Sequence, residues 1–166
     1  MAVQRERRIR AQATDGFLLH CLMAMQMQAI AGKALGSEGF SLTKHRILGF
    51  ATLTPGITIG ELARALRVSR QALNRPLGAL ISEGYVEEKT GPEDRRQKQL
   101  YPTRKGSRLY LRVIAKNIGR VDQVFRAAGP KSVRGFLEVH RLLVDERERQ
   151  WIEVALKVVE ESEDKK

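Results

Sequence analysis

The sequence predicts a mainly α-helical chain with one small β-hairpin, on three observations. Apolar residues recur at helical spacing through both ends of the chain. Two short helical patterns between Thr58 and Ser82 are separated only by Arg67 and Val68, the spacing of a helix-turn-helix. Two short strand-like runs then follow, Tyr85 to Lys89 and Lys98 to Tyr101, around a turn-rich loop. A hairpin directly after a helix-turn-helix is a wing, so the expected fold is a winged helix-turn-helix flanked by N- and C-terminal helices.

The first helix is expected from about Thr14 to Leu35. Phe17, Leu18, Leu19, Leu22, Met23, Met25, Met27 and Ile30 place apolar groups on almost every side of it, so it needs cover from several directions. In a chain this small, that cover includes a second copy of itself. Every Met except the initiator falls here, and Met fills irregular gaps. Plain core packing explains the methionines, and so does a malleable ligand pocket beside the interface.

Gly36, Gly39 and Ser41 end this helix, and a second runs from about Lys44 to Leu53 before a Thr54-Pro55-Gly56 turn. Thr58 and Glu61 have capping-box spacing, and Leu62, Ala63 and Leu66 give the next helix its buried stripe. Ser69 caps another, whose inner stripe is Leu73, Leu77, Leu80 and Ile81. Beyond Thr103, again a capping residue, a helix is expected to near Gly129-Pro130. One last helix then carries Phe136, Leu137, Leu143, Trp151, Val154, Ala155 and Val158.

Lys and Arg outnumber Asp and Glu by 30 to 19, a formal charge of +11, which favours a polyanionic partner. Aromatic residues make up only 5%, which argues against stacking single-stranded bases and for a duplex. With Cys21 alone, no intrachain disulfide or thiolate zinc site can form, and a reducing, cytoplasmic home is expected. RERRIRAQATDG and FLLHCLMAMQMQAIA outline a signal peptide only crudely, because His20, Gln26 and Gln28 interrupt the apolar run. That run is also shorter than the roughly 20 residues that span a bilayer, so no membrane partner is expected.

His20, His45 and His140 have no metal-ligand spacing, and no nucleophile, base or ligand cluster is visible. No enzyme, metal or cofactor is therefore expected. The arginines of RERRIR are read as a solvated, frayed terminus or an arm that reaches nucleic acid.

On the helix from Ser69, the face opposite the leucine stripe carries Gln71, Arg75, Gly78 and Ser82, with Asn74 on one flank and Arg70 in the first turn. Arg can donate two hydrogen bonds to guanine, and Gln or Asn can exchange two with adenine. An ordinary solvated face has the same composition; the basic hairpin tip that follows favours DNA. An arginine at such a tip can enter the narrow minor groove, held in orientation by a nearby carboxylate. Lys98, at the start of the second strand, is a further candidate contact.

With GELARALRVSRQALNRPLGALISEGYV, PEDRRQ in the wing and TRKG opening the following helix, the chain resembles the multiple-antibiotic-resistance regulator (MarR) family over roughly Ile57 to Leu109. The resemblance implies a homodimeric transcriptional regulator, usually a repressor, on a pseudo-palindromic operator. Many members release DNA when a small aromatic or phenolic effector enters between the dimer frame and the winged helix. The family's Asp-x-Arg wing signature falls on Asp94 and Arg96. It implies Arg96 in the minor groove, Asp94 as its orienting partner and Arg95 on phosphate.

The expected organisation is a helical dimerisation segment at 1–42, a winged helix-turn-helix DNA-binding domain at 43–103 and dimerisation helices at 104–166. Two other readings stand beside regulation by DNA binding. One is a winged-helix protein-interaction module; the other is a thiol-based redox regulator through Cys21. Against the second, Cys21 lies among apolar residues rather than the positive or hydrogen-bonding neighbours that make a thiol reactive, and a buried structural cysteine is expected.

Two positions depart from the family pattern. Pro102 stands before the Thr-x-x-Gly start of the next helix, and Pro76 falls inside the recognition helix. Proline there deletes the bond to the Ala72 carbonyl and costs about 3 kcal/mol unless the helix bends. The alternative is a helix that begins at Pro76. The unbroken Leu73-Leu77-Leu80 stripe favours a continuous but kinked helix.

Overall fold

A computed structural model of the chain describes residues 2–36, 40–91 and 97–163. Helix α1 is Ala2–Gly36 and begins well before the expected Thr14. The Thr14 hydroxyl donates to the Arg10 carbonyl at 3.0 Å, a back-bond made in a helix interior. The RERRIR segment is therefore helical rather than frayed. Its residues are good helix formers, but they are exposed and leave no apolar stripe to mark the start.

Helix α2 (Leu42–Leu53) is capped by Ser41, whose side chain accepts from the Lys44 amide. Strand β1 (Ile57–Thr58) leads into α3 (Ile59–Leu66), and α4 is Arg70–Ser82. The wing strands are β2 (Val86–Thr90) and β3 (Lys98–Pro102). The sheet has three antiparallel strands in the order β1-β3-β2, one more than the hairpin the sequence predicts. Ile57 and Thr58 pair with Leu100 and Gln99, so Thr58 both ends a strand and caps a helix.

Pro102 fits the end of β3 without losing a ladder bond. Thr103 donates to the Tyr85 carbonyl on the β2 side, and the Leu100 carbonyl accepts from Gly56 on the β1 side. Because groups alternate along a strand, Pro102 faces the β1 side, two residues beyond Leu100, where the β1–β3 pairing ends.

Helix α5 (Arg104–Leu143) contains one non-helical residue, Gly129, at φ 77 and ψ 164. Pro130 disfavours a helical residue before it, and glycine adopts positive φ freely, so the expected end is a joint between two helical halves. The expected single last helix is itself divided. Val144 is extended, and α6 (Glu146–Glu163) starts after Asp145, a favoured capping residue type.

The core of the winged head is closed: Ile47, Leu48, Leu62, Leu73, Leu80, Val86 and Leu100 are all essentially inaccessible. It also takes in Ala31, Leu35 and Phe40 from the N-terminal side, and Leu109 and Val113 from α5. Thr103 and Gly106 dock α5 on it. The Thr103 hydroxyl donates to the Gly84 carbonyl at 2.7 Å and accepts from the Gly106 amide at 3.1 Å. A Cβ on Gly106 would collide with the backbone carbonyl oxygen of Tyr85, so a side chain is excluded there. Lys105 completes the TRKG motif by donating to the Glu83 carbonyl at 2.9 Å while lying over the Tyr85 ring.

The flanking helices contrast with this. Phe17, Leu19, Leu22 and Met25 on α1, and Leu142 and Leu143 at the end of α5, are mostly exposed. Within one chain Cys21 is half-buried beside the exposed side chains of α1. Among the described residues, no helix is long and apolar enough to cross a membrane.

Candidate nucleic-acid interface

Two caps hold the helix-turn-helix in place. The Thr58 hydroxyl accepts from the Glu61 amide at 3.2 Å, and the Glu61 carboxylate accepts from the Thr58 amide at 2.9 Å and its hydroxyl at 2.7 Å. The backbone hydrogen bond from Thr58, then that from its hydroxyl, lowers the Glu61 pKa. Arg67 ends α3 in the left-handed region, at φ 55 and ψ 42, and the Val68 amide closes back on the Ala63 carbonyl at 3.0 Å. Ser69 then caps α4 by accepting from the Ala72 amide at 3.2 Å.

Helix α4 runs unbroken through Pro76. The reading in which it starts at Pro76 is set aside, because Arg70 to Arg75 are helical and capped. Burial of Leu73, Leu77 and Leu80 against the core holds both sides of the proline in one helix. Gln71, Asn74, Arg75, Gly78 and Ser82 all face solvent.

Beside α4 lies an open cleft between the helix-turn-helix and the foot of the wing. Ser69, Arg70, Asn74 and Lys98 line it, together with Arg64 and Arg67. Gln71 and Arg75 are exposed on the adjoining face of α4 and do not line the cleft. Gly60 leaves the space in which the Arg70 guanidinium lies, since a Cβ there would sit 2.9 Å from an Arg70 nitrogen.

At the wing, the Gly91 amide donates to the Gln97 carbonyl at 2.9 Å and closes the strand ends. Lys98 is paired with the Glu88 carboxylate at 2.7 Å, so its charge is partly satisfied within the sheet. Asp94, Arg95 and Arg96 lie outside the described residues.

Arg64 and Arg67 are cleft residues that sequence reading did not select. A helical wheel offers Arg64, opposite the Leu62-Ala63 stripe. Arg67 carries no such signal, because a left-handed terminus usually announces itself with glycine or asparagine. Arg67 also reaches Glu148 on α6 at 3.6 Å, a long pair between an exposed guanidinium and a half-buried carboxylate that carries little energetic weight. Among the described residues, no group of three or more His, Cys, Asp or Glu side chains is arranged to hold a metal.

This geometry agrees with what the chain is similar to. A model of the MarR family matches residues 38–97. The HTH-type transcriptional regulator PetP of Rhodobacter capsulatus is 34% identical over 113 residues, which are 68% of this chain and 68% of that protein. The transcriptional activatory protein BadR of Rhodopseudomonas palustris is 31% identical over 81 residues, which are 47% of this chain and 46% of BadR. The crystal structure of a MarR-family transcriptional regulator from Silicibacter pomeroyi superimposes with a TM-score of 0.64 at 24% identity, covering 75% of this chain and 84% of that one. The caps, the three-stranded wing and these likenesses converge: the chain belongs to the MarR family of winged-helix transcriptional regulators.

Proposed function

We propose that two copies of the chain bind a pseudo-palindromic operator, each laying α4 in the major groove and its wing in the adjacent minor groove. The observation that carries this reading is the open cleft where Arg64, Arg67, Arg70, Asn74 and Lys98 gather beside a capped, solvent-facing α4. Segments 1–42 and 104–166 form the dimer frame and 43–103 the DNA-binding head. The exposed apolar side chains of α1 and α5 support that division, because a second copy would cover them. The two recognition helices are then expected about 34 to 36 Å apart.

In this reading Gln71, Asn74 and Arg75 address base edges, and Ser69, Arg70, Arg95 and Lys98 position the backbone. Arg96 enters the minor groove, oriented by Asp94. Binding over a promoter represses transcription. Activation is the second reading, favoured by the likeness to BadR, a transcriptional activatory protein. A small aromatic or phenolic effector has a suitable entry point in a hollow of about 390 Å³ between α1 and α5. Met23, Met27, Val124, Phe125 and Phe136 line it, with Arg120 available to a carboxylate.

Selection of genomic fragments bound by the protein, with and without a panel of aromatic acids, tests all of this. The expected yield is sites of approximate two-fold symmetry, depleted by at least one acid. Equal, weak recovery of random and selected DNA would favour a protein-interaction module instead. Arg96→Ala is expected to weaken operator binding by about 1.5–3 kcal/mol while leaving the dimer intact, as for loss of a charge-assisted hydrogen bond. Unchanged affinity in a gel-shift titration would remove Arg96 from the interface.

A further inference from the structure

The first and last helices each carry, at the outer end, the charge that their own backbone disfavours. Helix α1 begins with Arg5, Arg7, Arg8 and Arg10 against one acid, Glu6, and has no acidic residue in its first turn. Helix α6 closes on Glu160, Glu161 and Glu163 and has no basic residue in its last turn. A helix start is the positive end of its dipole and a helix end the negative one, so each run of like charge opposes the terminus that bears it. The four arginines, Glu160 and Glu161 are exposed. Among the described residues, no ion pair joins the two runs within one chain.

The charges sit on faces that are also apolar. Val3, Arg7, Arg10, Leu18 and Met25 fall at helical spacing on one exposed face of α1, away from Met23 and Met27, which line the hollow against α5. On α6, Ile152, Glu153, Leu156 and Glu160 likewise share an exposed face. Trp151 turns to the other side, its ring edge-on to Phe50 of α2 with centroids 5.4 Å apart. The two open faces therefore match in apolar character and are opposite in charge. Phosphate would satisfy the arginines of α1 but has no use for Val3 beside them, so a helix of a second copy fits this face better than DNA does.

We propose that the start of α1 docks antiparallel on the end of the partner's α6, with Arg7 and Arg10 facing Glu153 of the partner subunit and Glu160 of the partner subunit. The inference rests on the two-fold dimer proposed above, whose symmetry makes the contact twice. The lengths agree with it. At about 1.5 Å per residue, Arg7 projects roughly 36 Å beyond Ala31, the core residue on the same helix. Two heads on successive turns of DNA are about 34 to 36 Å apart, so the start of α1 arrives at the other head. Glu160 is there to meet it, because it lies only about 14 Å along α6 from Trp151, which is packed on its own head. Each arginine fork can then take a carboxylate, and each helix end gains the countercharge it lacks alone.

Sedimentation equilibrium of the full chain measures the dimer dissociation constant and provides the test. Arg7→Glu combined with Arg10→Glu should weaken the dimer about tenfold or more, as should Glu153→Arg combined with Glu160→Arg, because each sets like charges face to face. All four changes in one chain should bring the constant back to within about threefold of the wild type, since the charges are then exchanged rather than opposed. Arg7→Glu, Arg10→Glu and Glu160→Arg each move a helix end toward the sign its dipole favours, so weakening cannot come from fraying, and circular dichroism should show no loss of helix. Dimers of wild-type strength in both charge-reversed variants, or no recovery in the combined one, would overturn the proposal and leave the two-fold dimer standing. Weaker operator binding by the α1 variant with an unchanged dimer constant would assign the arginines to DNA and also overturn it. A wild-type chain that sediments as a monomer would remove the dimer itself, and this contact with it.

Discussion

The winged head and the flanking frame are built on opposite terms. In the head, Leu62, Leu80 and Leu100 are fully buried within one chain, each helix start is capped, and Gly106 fits against the Tyr85 backbone without room for a methyl group. In the frame, Leu142 and Leu143 remain 73% exposed and Phe17 65% exposed. The head buries most of its own apolar groups. The flanking helices leave a large apolar surface uncovered within one chain, so the closed core and the open apolar faces are encoded in different stretches of the sequence.

The largest effect expected to break this contrast is at Gly106. Gly106→Ala forces the α5 start away from Tyr85 and Leu48, and should cost the head about 3 kcal/mol or more, read as a lowered midpoint in urea denaturation. A variant as stable as the wild type would mean that the dock yields easily. Leu22→Glu comes next and probes the other side. Its side chain is 57% exposed in one chain, so the head should fold normally while the sedimentation coefficient falls toward that of a monomer. Operator affinity should drop by well over tenfold as the two half-sites uncouple. A dimer of unchanged stability would place the partner surface elsewhere. The smallest effect belongs to Ser69→Ala, which removes the cap on α4 and should cost about 1 kcal/mol in the same urea assay.

Much of the head was legible because its signals are local. Thr58, Ser69 and Thr103 each stand at a helix start and each caps it, and the leucines of α4 are buried in the order their spacing predicts. Pro76 was resolved by the same stripe. What escaped were features that depend on residues distant in sequence or on backbone alone. The two-residue β1 exists only because Leu100 and Gln99 pair with it. The early start of α1 has no apolar face to announce it, and the division after Leu143 rests on a single extended residue, Val144. In the candidate site, the α4 residues could be listed from the sequence, but their sorting into cleft-lining Arg70 and Asn74 and outward Gln71 and Arg75 required the fold. Arg67 stayed hidden because its left-handed conformation belongs to the turn rather than to the residue type. His20 and His140 meet only because α1 and α5 pack together.

Helix α1 has a mechanical consequence beyond its packing. It carries exposed frame residues such as Phe17 and Leu22, and its last turns enter the head core through Ala31 and Leu35 without an intervening loop. At about 1.5 Å per residue its 35 residues make a rod of roughly 52 Å. A tilt of about 4° at one end displaces the other by roughly 3.5 Å, the rise of one base pair. The helix is a lever arm, and a disturbance in the frame too small to repack anything there can shift the head by one step along the DNA.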